Sequence, residues 1–177
     1  MSMSSPEQLR AFIRDVPDFP KPGIVFKDIT PLLRSPAALN AAVEKLAAPF
    51  LDESITAVVA IESRGFIFGS CVARILKAGF VPIRKPGKLP WTTRRHEYIL
   101  EYGSDVLEIH DDALNNDDRV VIIDDLLATG GTLAAAAALV RGFGCTLVGV
   151  GAVIELAFLD GRSKLDPSTP IHTLVQY

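Results

Sequence analysis

The stretch "RVVIIDDLLATGGT", Arg119 to Thr132, gathers residues whose types and spacing suit a specific chemistry. Asp124 and Asp125 stand side by side, and Ala128, Thr129, Gly130, Gly131 and Thr132 follow almost at once. Glycines let backbone N–H groups approach an anion closely. A helix beginning there adds partial positive charge, and threonine hydroxyls add donors. That is a phosphate cradle. It carries no lysine and no GxxxxGK[ST], so it is not a P-loop, and it is not a GxGxxG dinucleotide fingerprint. Carboxylates repel phosphate, yet they accept hydrogen bonds from hydroxyls and help to hold Mg²⁺. A phosphorylated sugar satisfies both halves, with hydroxyls on the aspartates and phosphate on the loop. The bland alternative is a capped loop and a turn. A lone "TGG" would favour it, but an apolar strand, paired acids, "ATGGT" and a helix in this order do not.

Other candidates lie apart in the chain. "ESRG" places Arg64 between a β-branched run and a glycine-started helix, a poor setting for an ordinary surface arginine. "IRKPGK" concentrates Arg84, Lys85 and Lys88; a solvated face is the common explanation of such a run, and steering of an anion is the other. Glu101 in "YILEY" is unusual in a strand that is otherwise apolar and aromatic. In the bland account it faces outward with Ile99 and Gly103, leaving Tyr98, Leu100 and Tyr102 on the other face. Trp91 and His96 are assigned no chemistry.

The elements that must position these residues follow from pattern. Ser5-Pro6-Glu7 and Ser35-Pro36 are helix starts, the first helix running to about Asp15. "PDFPKPGIVF" is too proline-rich for a helix and predicts an extended or turning segment. "TAVVAI", "FVPIR", "VVIID", "TLVGVGAVI" and "IHTLVQY" are short buried strands. "FIFGSCVARILKAG" predicts a helix ending at Gly79, and "LAAAAALVRGFG" a helix ending on glycine. Pro86 to Glu97 is polar and predicts a long exposed loop. "YILEY" and "VLEIH" form a hairpin. Strands alternating with helices give an α/β fold with a mostly parallel, twisted sheet flanked by helices.

With 177 residues, one domain over 1–177 is expected. A net charge of -3 argues against non-specific nucleic-acid or anionic-membrane binding. Cys71 and Cys145 match no metal spacing and fit buried small hydrophobes. No segment approaches the ~20 apolar residues of a membrane span and the N-terminus has no signal-peptide core, so a cytoplasmic protein is the expectation.

Taken together, "DFPKPGIVFKDITPLL", "ESRGFIFG", "IRKPGKLP", "LEYG", "DDLLATGGT" and "FLDGRSKL" resemble, in order and over nearly the whole chain, the adenine phosphoribosyltransferase family of type I phosphoribosyltransferases. The resemblance implies transfer of the 5-phosphoribosyl group from phosphoribosyl pyrophosphate (PRPP) to adenine, giving AMP and pyrophosphate in purine salvage, with Mg²⁺ as cofactor. It implies an N-terminal hood over about residues 1–34, a flexible lid at Pro86–Glu97 and a homodimer in which some basic loop residues serve the partner's site. Asp124 and Asp125 would contact the ribose hydroxyls and reach metal only through water, and Ala128, Thr129, Gly130, Gly131 and Thr132 would hold the 5′-phosphate. Ser63, Arg64, Arg84, Lys85 and Lys88 would meet pyrophosphate, in a loop where a non-proline cis peptide is usual. Val25, Phe26, Lys27, Leu126 and Tyr102 would line the adenine pocket. Glu101 would be the general acid/base, with Arg64 the second catalytic residue. Two positions depart from the family's habit, Lys27 where arginine is frequent and Glu62 where aspartate is. The rivals are a phosphoribosyltransferase for another purine base, a PRPP- or nucleotide-binding regulator of the same fold, and an inactive α/β domain.

Overall fold

The structure, a computed structural model, describes residues 5–100 and 103–177. Along the chain come α1 (Pro6–Arg10), β1 (Arg14–Pro17), β2 (Val25–Asp28), α2 (Thr30–Arg34), α3 (Pro36–Ala47) and β3 (Ala57–Ile61). There follow α4 (Gly65–Leu76), β4 (Gly79–Ile83), β5 (Thr93–Leu100), β6 (Gly103–His110) and β7 (Arg119–Leu127). The chain continues through α5 (Gly131–Arg141), β8 (Thr146–Glu155) and β9 (Ile171–Gln176). Five strands make a parallel sheet in the order β4-β3-β7-β8-β9, and β1–β2 and β5–β6 are separate antiparallel pairs.

The buried runs become strands because both sheet faces are covered. Along β7, Val120 and Ile122 enter a core shared with α5 and the β5–β6 pair, while Val121 and Ile123 enter the core shared with α3 and α4. That alternation is the two-residue period of a strand buried on both sides. From β3 the chain crosses through α4 to β4 on one side; from β7 it crosses through α5 to β8 on the other. The winding therefore diverges between β3 and β7, and a crevice opens beyond their carboxyl ends.

Several expectations are corrected. The first helix stops at Arg10 instead of running to about Asp15, and residues 14–17 turn into β1. The proline-rich segment is extended and turning, as expected: it joins β1 to β2 as a short hairpin in which Gly23 takes φ +87° and its N–H donates to the Asp18 carboxylate at 2.8 Å. The helix α4 ends on Lys77 in the left-handed conformation; Gly79 already belongs to β4, its N–H donating to the Thr56 carbonyl at 2.8 Å. The expected loop Pro86–Glu97 is irregular only as far as Thr92, because Thr93–Glu97 pairs with Val106–His110 as a regular antiparallel ladder. Its polar residues suit one wet face: Arg95 and Glu97 are exposed, and Tyr98 is buried.

Candidate active site

A cavity of about 350 Å³ sits where β3 and β7 end. It is lined by Ser63, Arg64, Lys85, Asp124, Asp125, Leu126, Ala128, Thr129, Gly130 and Thr132, together with Ile61, Glu62 and Leu133. The sheet thus brings together, from three separate stretches, most of the residues singled out by type and spacing. Gly131 is the first residue of α5 and stands just behind this lining. Arg84 and Lys88 are not part of the lining, but both pair with Glu62, which is. Val25, Phe26 and Lys27 lie on β2, outside the cavity wall. Glu101 and Tyr102 lie outside the described residues.

The aspartates are held in a low-dielectric setting, each with less than a tenth of its surface exposed. Asp124 Oδ1 accepts the Asp125 N–H at 2.8 Å, and Arg64 Nε lies 2.9 Å from Asp125 Oδ2. Burial pushes the Asp124 carboxyl well above the ordinary range, and the neighbouring Asp125 charge pushes it further. Burial also raises Asp125, with the Arg64 guanidinium pulling the other way. Arg64 is aimed by its neighbour: a Cβ on Gly65 would come 2.7 Å from Asp124 Oδ1, so only glycine lets α4 start this close to β7. The expected cis peptide is present at Glu62–Ser63.

The loop that follows β7 has its shape fixed from outside the stretch. Gly130 takes φ +80°, and a Cβ there would lie 2.0 Å from the Gly161 carbonyl oxygen. A Cβ on Gly161 would in turn lie 2.1 Å from the Ala128 carbonyl oxygen. The two backbones therefore touch glycine to glycine. The Gly161–Lys164 turn is anchored by Arg162, which donates to both Glu155 carboxylate oxygens at 2.6 and 2.8 Å and to the Ile171 carbonyl at 3.1 Å. The "FLDGRSKL" stretch acquires a local reason here that pattern alone did not supply: glycine allows the approach and arginine fixes the turn. Tyr98 is the other residue missed by sequence reasoning. Its hydroxyl lies 3.3 Å from Thr132 Oγ1 and donates to Asp105 at 3.2 Å, so the β5–β6 pair rests on the start of α5. Its signal was modest, a buried-type aromatic in register with Asp105.

The basic cluster is not free. Lys85 is ion-paired with Asp105, whose attraction outweighs the effect of burial and raises the lysine's pKa. Arg84 Nε donates to Glu62 Oε2 at 3.0 Å, the Lys85 N–H to the same oxygen at 3.2 Å, and Lys88 pairs with Glu62 Oε1. Burial would raise the Glu62 carboxyl, but these donors outweigh it and hold the group below its usual range. Glu108, almost fully buried, accepts the Gly87 N–H at 3.1 Å. Arg95 Nε lies 2.7 Å from its other oxygen, an ion pair at an angle that makes no hydrogen bond. Among the described residues, no cluster of three or more His, Cys, Asp or Glu could hold a metal on its own.

The phosphoribosyl transferase domain family matches residues 29–172. Adenine phosphoribosyltransferase of Nitrosococcus oceani is 55% identical over 171 residues, covering 97% of this chain and 99% of its own. The crystal structure of the Rhodothermus marinus adenine phosphoribosyltransferase superposes with a TM-score of 0.93 at 52% identity, over 97% of this chain and 98% of that one. The Saccharomyces cerevisiae adenine phosphoribosyltransferase, complexed with an imino-altritol bisphosphate and adenine, superposes with a TM-score of 0.89 at 40% identity, over 96% and 97% of the two chains. With identity and coverage of this extent, the chain belongs to the phosphoribosyl transferase family, alongside the adenine phosphoribosyltransferases.

Proposed function

We infer that this chain transfers the 5-phosphoribosyl group of PRPP to adenine, giving AMP and pyrophosphate. The observation that carries the reading is the cavity with two buried carboxylates at one end and a glycine-backed loop at the start of α5 at the other. The full-length likeness to adenine phosphoribosyltransferases supplies the base. The ribose 2′ and 3′ hydroxyls donate to Asp124 and Asp125. The 5′-phosphate takes N–H groups and hydroxyls of Ala128 to Thr132. Pyrophosphate leaves toward Ser63, Arg64 and Lys85, with Arg84 and Lys88 completing the charge once they leave Glu62. Leu126 and the β2 segment Val25–Lys27 enclose the base, and the Phe26 ring, 5.0 Å from the Arg64 guanidinium, stands between the hood and the pyrophosphate loop. Glu101 moves the proton at the purine imidazole, beside Tyr102.

Magnesium fits as an ion carried on PRPP: among the described residues the cavity offers it two aspartates, one already paired with Arg64, so they would reach its shell through water. When bound, it would supply neutralisation of the charge on the pyrophosphate. We read residues 1–177 as one domain whose N-terminal 34 residues form the hood, the β5–β6 pair as the cover over PRPP, and the assembly as a homodimer. Phe80 on the sheet-edge strand β4 and Ile67 on α4 are exposed apolar residues beside a Phe66–Phe80 ring contact, which suits a second copy. Cys71 and Cys145 are unpaired thiols, in keeping with the cytoplasm. Assaying AMP, IMP and GMP formation from each base with PRPP and Mg²⁺ tests the reading. AMP alone supports it. IMP or GMP in preference would give the activity to another base, and PRPP binding without any nucleotide would favour a regulator.

A further inference from the structure

Lys27 and Tyr177 meet on the far side of β2 from the cavity. Successive residues of a strand point to opposite faces. Phe26 turns to Arg64 on the crevice side, and Lys27 turns the other way. The Lys27 ammonium lies 3.8 Å from the centroid of the Tyr177 ring, and its Nζ is 2.6 Å from the carboxylate of Asp15, its register partner on β1. The Arg10 guanidinium at the end of α1 lies 4.2 Å from the same ring. Tyr177 is tied to the main sheet, its N–H donating to the Glu155 carbonyl and its carbonyl accepting the Ala157 N–H, both at 2.9 Å. One ring thus joins α1, β2 and, through Asp15, β1 to the carboxyl edge of β8. The Lys27 side chain is only 11% exposed, so this contact is partly desolvated, where cation–ring attraction is strongest.

We propose that the Lys27 and Tyr177 side chains act as positioning groups for the base: they hold β2 at a fixed height over Arg64 while the side chains themselves stay off the base. This rests on the reading that β2 encloses adenine. If β2 lifts part of the time, only the seated fraction binds the base, and the apparent affinity falls by that fraction. PRPP contacts the ends of β3 and β7 and is indifferent to this. The departure from arginine at position 27 is then harmless, because what the position requires is a cation against the ring.

The test is steady-state kinetics of Lys27→Met, Lys27→Arg, Tyr177→Leu, Tyr177→Phe and the double variant Lys27→Met/Tyr177→Leu. Lys27→Met and Tyr177→Leu should each raise the KM for adenine roughly tenfold, the factor of a partly desolvated cation–ring contact, with the KM for PRPP unchanged within about twofold. Lys27→Arg and Tyr177→Phe should restore near-normal values, and the double variant should cost less than the two single effects combined, since the Lys27–Tyr177 contact is shared while Asp15 and Arg10 each touch only one of the pair. A parallel rise in the KM for PRPP, failure of Lys27→Arg to rescue, or additive effects in the double variant would each overturn the proposal. The same holds if Lys27→Met and Tyr177→Leu fail to fold while their conservative partners also lose activity. A wild-type enzyme that makes no AMP from adenine would instead remove the underlying function.

Discussion

Gly161 gives the sharpest test of how the proposed phosphate loop is shaped, because it lies 29 positions beyond the loop's last residue, Thr132, and the atoms nearest to it there are backbone and an apolar side chain. A methyl group at this position would sit 2.1 Å from the Ala128 carbonyl oxygen, 2.9 Å from the Gly130 nitrogen and 2.9 Å from Leu127 Cδ1. Ordinary contact for a Cβ begins at 3.4 Å, so in Gly161→Ala the loop and the turn must part by more than an ångström. Overpacking of this kind costs about 1–3 kcal/mol. In a chain of this length that lowers Tm by roughly 2–4 °C per kcal/mol. Displacing binding groups by ~1 Å costs about 10²-fold in rate. The expected outcome is a fall of about two orders of magnitude in kcat/KM for PRPP, with the KM for adenine changed far less. AMP formation at varied PRPP and at varied adenine, with a thermal melt of each protein, measures this. Gly79→Ala is the control, since its nearest contact would be an ordinary 3.5 Å and its φ is not positive. Wild-type kinetics in Gly161→Ala, or equal damage in Gly79→Ala, would refute the reasoning.

Asp124→Asn should stabilise the ligand-free protein while abolishing most activity. The folded state raises the Asp124 pKa, so ionisation opposes folding: stability is greatest below the ordinary value of about 4 and falls as pH rises through the folded-state value. Melts from acid to neutral pH should show Asn gaining on wild type as pH rises, and a variant that loses ground at neutral pH would contradict the sign. Glu62→Gln should free Arg84 and Lys88 and tighten product inhibition by pyrophosphate up to about fivefold, the scale of a partly exposed ion pair. Weaker inhibition would mean that Glu62 aims those cations for the ligand. Glu101→Leu should lower kcat by roughly 10²-fold, and a near-normal kcat would remove it as the acid/base.

The strand, paired acids and loop of residues 119–132 were legible because every signal in them is local: an apolar run, then polar residues, then glycine before a helix. The crevice followed from the alternation of strands and helices. Other parts failed for physical reasons. The first helix was overextended because residues 14–17 earn their strand by pairing with β2, which no local pattern announces. Thr93–Glu97 looked like loop because its wet face is rich in charge, and its pairing partners, Val106 to His110, come later in the chain, beyond any local pattern. The basic run at 84–88 was legible as a concentration of charge, but its state was not: the carboxylates that hold it, Glu62 after β3 and Asp105 and Glu108 on β6, lie about 20 residues away on either side. Lys27 could be flagged as unusual, but only the fold shows its side chain turned to Tyr177.

That pairing of cations with carboxylates has a kinetic consequence. Arg64, Lys85, Arg84, Lys88 and Arg95 all carry their counter-ions within the chain. Before a ligand arrives, the crevice is therefore closer to an internally compensated salt than to a positive funnel, and little net field reaches into solvent. On the proposed placement of pyrophosphate, the ester would enter by exchanging places with carboxylates, contact for contact, much as an anion loads onto a resin. Its association rate should then vary only shallowly with ionic strength, unlike that of an electrostatically steered encounter. The free energy of the exchange appears in how long the anion stays.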